Sequence, residues 1–130
     1  MKILQPPGWP RPKGYANGIS ARGRLVFTAG VVGWDEQQRF VSDDFVEQFR
    51  QVLANTLAIL AEDDAGPEHI VRMTWYVVDR DEYVARLSEI GAAWREAMGR
   101  HYPCMAAVQV AALVEPRAKI EIETTAVVPE

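Results

Sequence analysis

The chain has 130 residues, 48% hydrophobic and 25% charged, which suits one globular domain over residues 1–130 and excludes a disordered chain. A net charge of −4 argues against nucleic acid as the main partner, and no apolar run nears the ~20 residues that span a bilayer, so no membrane partner is expected. The N-terminus lacks the apolar core of a signal peptide, and the single cysteine, Cys104, has no internal partner; both point to a reducing cytoplasm.

From Pro6 to Gly14 four prolines alternate irregularly with glycine and basic residues, which predicts an extended or turning arm. Short strand-like pieces follow from Tyr15 to about Val32. Arg24 to Ala29 is rich in β-formers, and Ala21-Arg22-Gly23 reads as the hairpin turn before it. Gly30 and Gly33 bracket two valines, which suggests a bend or bulge where the backbone comes close to something.

Asp44 with Glu47 three residues on predicts a capping box, and Phe45, Phe49, Leu53, Leu57 and Leu60 recur at helical spacing behind it. Asp63, Asp64 and Gly66-Pro67 end that helix. Ile70 to Val78 is a strand, with Val71, Met73, Trp75 and Val77 on one face and Arg72, Thr74 and Tyr76 on the other. Asp79 and Glu82 offer a second cap, followed by one helix whose apolar stripe is Tyr83, Leu87, Ile90, Trp94 and Met98, ending at Gly99. Two strands close the chain, roughly Cys104 to Leu113 and Ala118 to Val128. Two amphipathic helices each need an apolar surface, and one mixed β-sheet provides it, so the fold class is α+β. A domain this short buries a limited share of its surface, and oligomerisation is a natural source of further stability.

Six segments in this order resemble the YjgF/RidA family, from about Gly14 to Ala126. They are Gly14-Tyr15-Ala16-Asn17, Leu25 to Gly30, Gln51 to Leu60, Ile70 to Asp79, Tyr102-Pro103 with Ala107 to Ala111, and Ile120 to Glu123. The resemblance implies a chorismate-mutase-like subunit in a homotrimer whose ligand clefts lie between subunits. It also implies hydrolysis of a reactive enamine or imine to a keto compound and ammonia, with no metal and no organic cofactor. Two histidines, His69 and His101, and one cysteine do not make a metal site by count or spacing either.

The family's deaminases grip the substrate carboxylate with an arginine in a Pro-x-Arg-Ser stretch, because a guanidinium makes two parallel charge-assisted hydrogen bonds to it. Here that stretch is Pro103-Cys104-Met105-Ala106. Met105 cannot donate, which removes about 1.5–3 kcal/mol of carboxylate recognition and turns the expected substrate away from standard 2-imino acids. Glu121 matches the acidic residue that holds or activates water; read from its strand alone, it shares a solvated face with Glu123 and Lys119. Tyr15 matches the pocket tyrosine, or is a half-buried strand aromatic. Gly30 matches the glycine whose backbone faces the ligand, or marks a simple bulge. Trp34 either walls the cleft and selects a flat or apolar ligand, or packs on the surface. Cys104 lies beside the site, but His101 is not placed to activate it on an alternating strand, so covalent catalysis is not expected.

Three functions are compatible with these residues. One is a hydrolase of a reactive imine, enamine or related small metabolite; the second is a non-catalytic small-ligand-binding trimer. The third, a ribonuclease, is disfavoured by the acidic balance. Arg22, Arg24, Arg72 and Arg117 are the candidates to replace the missing guanidinium in the cleft.

Overall fold

A computed structural model describes all 130 residues. Seven strands and three helices run in the order β1 (Lys2–Leu4), β2 (Gly18–Ser20), β3 (Arg24–Phe27), β4 (Val31–Val32), α1 (Phe45–Ala61), β5 (Ile70–Val77), α2 (Arg80–Ala85), α3 (Leu87–Met98), β6 (Cys104–Gln109) and β7 (Ile120–Val128). A 3-10 turn, Pro67–His69, precedes β5. The main sheet is mixed, as expected for a sheet that two amphipathic helices cover. Its order is β3-β7-β5-β6, β4 also pairs with β7, and only the β5–β6 pair is parallel.

The helices cover one face of this sheet. Phe45, Phe49, Leu53 and Leu60 of α1 are buried against Met73, Trp75 and Val77 of β5 and Ile120 and Ile122 of β7, and α3 adds Ile90, Trp94 and Met98. Aromatic rings concentrate around Trp75, whose centroid is 4.9 Å from Phe49 and 6.0 Å from Trp94. Asp44 caps α1 by accepting from the Glu47 amide at 3.0 Å, and Asp79 caps α2 by accepting from Glu82 at 3.1 Å. The backbone half of each expected capping box is therefore present.

Four local expectations change. The Ala21-Arg22-Gly23 turn does not close a hairpin. β2 pairs with β1 in a separate two-stranded sheet while β3 pairs with β7, and Gly23 takes φ +147° where a Cβ would strike the Val128 carbonyl. The stripe from Tyr83 to Met98 is two helices, broken at Arg86 (φ −108°, ψ 15°). There the guanidinium reaches Glu89 at 2.7 Å and Asp44 at 3.1 Å, an ion-pair bridge from the break to the N-cap of α1. A register shift between Ile70 and Arg72 makes Val71 a bulge, so Ile70 is buried instead of Val71. Finally, β6 stops at Gln109; beyond the Val110 amide, which bonds to Val77, the chain turns away before Pro116. No helix is long and apolar enough to cross a membrane.

Candidate functional site

The alternation of β6 and β7 decides where the candidate residues go. Met105 stands in register with Met73, on the helix-covered face, and Glu121 stands in register with Tyr76, on the open face. The sheet thus separates them. Cys104, one residue before Met105, is in register with Arg72 and belongs to the open face too.

On the open side, Gly30 and Glu121 meet. A Cβ at Gly30 would collide with the Glu121 carboxylate, so the missing side chain is what lets that carboxylate lie against the loop between β3 and β4. Gly33 makes the second close approach expected of this segment: a Cβ there would lie 2.6 Å from the Gln48 carbonyl of α1. Glu121, Gly30, Tyr76 and Glu123 line a shallow hollow of about 280 Å³, rimmed by Leu113 and Val114. The Tyr76 hydroxyl donates to Glu123 at 2.7 Å; that bond, with burial and the nearby Glu123 and Glu121 charges, raises the phenol's pKa above its ordinary value. Tyr76 therefore stays protonated throughout the neutral range. Sequence reasoning left Tyr76 and Glu123 out of the site, although period-two alternation places both on the Glu121 face.

On the helix side, Met105, Tyr15, Trp75, Tyr83, Trp94 and Tyr102 wall a cavity of about 460 Å³ between the sheet and α3. Tyr15 arrives there because the N-terminal arm is pinned: the Ala16 amide donates to the Pro103 carbonyl at 3.0 Å, and Asn17 donates to Gln5 at 2.9 Å. Gly14, at φ +80°, supplies the turn that a side-chain-bearing residue resists. Leu87, exposed on α3, is part of the same wall. Tyr102 and Trp94 stack at 6.2 Å, and the Trp94 indole donates to the His101 carbonyl. The spacing of these aromatics reads as core, and nothing in the sequence separates a wall from a core.

Trp34 joins neither group. Its ring sits 5.8 Å from Phe40 and its carbonyl accepts from Asn55 of α1 at 2.8 Å, so within the chain it is held in the loop that follows β4. His101 donates through Nε2 to the Ile70 carbonyl at 2.6 Å, which removes that nitrogen as a base for Cys104. Among the arginines named above, Arg24 is held by Asp63, Arg117 by Asp43, and Arg22 is exposed and lines neither hollow. Arg72 is free of carboxylates and lies on the open face beside Thr74 and Glu123, across the sheet from Met105. None of the four stands with Met105. No cluster of three or more histidine, cysteine or acidic residues is arranged to hold a metal.

The profile of the family described as Endoribonuclease L-PSP matches residues 10–128. A RutC family protein of Synechocystis sp. is 34% identical over 99% of this chain and 98% of its own length. A protein of Escherichia coli K12, provisionally named reactive intermediate deaminase TdcF, is 30% identical over 87% of this chain and 85% of its own. Among solved structures, the Rid family protein YyfB of Yersinia pestis superposes with a TM-score of 0.86 at 29% identity, covering 98% of both chains. The Escherichia coli TdcF structure with bound serine gives 0.71 at 29% identity, over 98% of this chain and 99% of that one.

Proposed function

The chain belongs to the YjgF/RidA family, and from that premise we propose that it hydrolyses a reactive imine or enamine in a cleft that two copies of the chain close between them. The assembly is a homotrimer of chorismate-mutase-like subunits, and the substrate is not a standard 2-imino acid. The observation that carries the reading is the juxtaposition of Gly30 and Glu121, a carboxylate lying against backbone from which the side chain has been removed. The separation of the two groups supports the shared cleft. Tyr15 and Met105 lie on one face and Gly30 and Glu121 on the other, so one copy alone cannot bring them to one ligand. Leu25, Phe27 and Val108 stand 59%, 65% and 44% exposed on the open sheet face, an apolar surface that a second copy would cover.

The chemistry needs only water and a proton carrier. Glu121 takes a proton from water as the oxygen adds to the imine carbon. Return of that proton to nitrogen completes the carbinolamine. Glu121 then takes the carbinolamine's hydroxyl proton and passes it to the amine, so that the C=O bond forms as the C–N bond breaks and a carbonyl compound and ammonia leave. An enamine is first protonated at carbon to reach the imine. Tyr76, kept protonated, lines the same hollow and holds Glu123 beside Glu121 through its one hydroxyl proton. Met105 presents a thioether where a standard 2-imino acid would need a guanidinium, which supports the altered substrate.

The test is ammonia release from enzymatically generated imines, with and without an α-carboxylate. Wild type is expected to act on imines lacking that group, Glu121→Gln to lose at least about 100-fold in rate, and Met105→Arg to gain activity on 2-imino acids. Full activity of Glu121→Gln would overturn the assignment. Metabolite binding without turnover in all three proteins would favour the non-catalytic trimer, which the loss of both arginine and serine, to Met105 and Ala106, also motivates.

A further inference from the structure

The aromatic cavity beside Met105 has a neighbour. A second hollow, of about 540 Å³, shares the Tyr15–Tyr102 wall with it and is lined by Arg11 and Arg100. Lys13 lines the first. These three cations are unlike most of the chain's others. Arg24, Arg50, Arg86 and Arg117 each rest on a carboxylate, whereas Arg11, Lys13 and Arg100 make no ion pair and no side-chain hydrogen bond. No Asp or Glu lines either hollow, in a protein whose net charge is −4. Uncommitted cations gathered around a twin cavity without acids create a local positive potential against the sign of the whole molecule.

The two hollows ask for different chemistry. The first is lined by the aromatic residues Trp75, Tyr83, Trp94 and Tyr102 together with Leu87 and Met105, an apolar wall that suits a planar apolar body. The second offers guanidinium groups, which suit a carboxylate. We infer that the ligand is a ring-bearing organic carboxylate: its ring enters the aromatic cavity against Met105, and its carboxylate is held beyond the Tyr15–Tyr102 wall by Arg11 and Arg100, with Lys13 at the rim. The inference deepens the proposed function and rests on it for the reaction but not for the binding. It places the acid group remote from the reacting carbon, so the chain has moved its anion site from residue 105 to the N-terminal arm and the residues after α3.

Isothermal titration of the intact protein with indole-3-acetate, indole-3-acetamide, acetate and AMP tests this, in wild type and in the double variant Arg11→Gln/Arg100→Gln. Both arginines are exposed, and the melting temperature of the variant checks that its fold is kept. Wild type is expected to bind indole-3-acetate at least about tenfold more tightly than the amide or acetate, with the advantage falling as salt rises and vanishing in the double variant. Equal affinity for acid and amide, an unchanged advantage in the variant, or no binding of any probe would overturn the inference. Tighter binding of AMP would overturn the carboxylate assignment in favour of a nucleotide. Ammonia release is not the readout, so failure of the hydrolase assay and failure of this one are separate results.

Discussion

Gln48 shows how much one residue can hold. It is buried on α1, donates to the Ser42 and Arg117 carbonyls at 3.0 Å each, and accepts from the Lys119 amide at 2.8 Å. Gln48→Leu keeps the volume but leaves three backbone groups unpaired, so urea unfolding should show a loss of about 3 kcal/mol. Gly30 tests a different link. In Gly30→Ala the new methyl meets the far end of the Glu121 side chain, not backbone, so the carboxylate shifts while the fold stays. Ammonia release should fall by about 100-fold with a nearly unchanged melting temperature. Gly30 and Glu121 were both legible as candidates from the family resemblance. Their contact was not, since it depends on β4 and β7 lying side by side. Cys104 and Met105 give the reverse lesson: they are adjacent in sequence and so were grouped, although strand alternation alone sends them to opposite faces.

Among the elements, the break between α2 and α3 carries the clearest electrostatic consequence. The Arg86 guanidinium holds the Asp44 and Glu89 carboxyls below their ordinary pKa values, and Asp44 is further lowered by capping the Glu47 amide. A depressed folded value means that stability is fully present above the unfolded pKa, near 3.8 for Asp44 and 4.5 for Glu89, and is lost as pH falls through the folded values. Arg86→Gln should therefore lower the melting temperature at pH 7 and approach wild type as the pH drops toward 3, followed by scanning calorimetry across that range. Periodicity could not reveal this break, because Tyr83, Leu87, Ile90 and Trp94 continue one stripe across it and arginine is a good helix former. The lost hairpin has a similar origin. Gly23 marks a turn correctly, but the partners of β2 and β3 lie at opposite ends of the chain, in β1 and β7.

For the whole molecule, the α+β class and the helix-covered sheet follow from patterns that span whole elements, such as the α1 stripe and the alternation in β7. What covers the open face is not written in any one pattern. Leu25 and Phe27 alternate with residues that face the helices, so they read as ordinary strand positions and emerge as an exposed patch only once β3 is placed at the sheet edge. If copies of the chain pack through this face, Phe27→Lys should weaken association at least about tenfold, read as a shift toward monomer in light scattering against concentration. Turnover should fall in step with the monomer fraction, because each copy alone holds half of the proposed cleft.

The division of the candidate residues by the sheet also has a genetic consequence. If two copies share the cleft as proposed, defects at Leu87 or Tyr15 and a defect at Glu121 would belong to different complementation groups, though all lie in one gene. Two inactive alleles expressed together would assemble mixed rings in which about a quarter of the clefts draw a sound half from each of two neighbours. Growth rescued by two dead copies, where either alone fails, is the phenotype that a site confined to one chain could not produce.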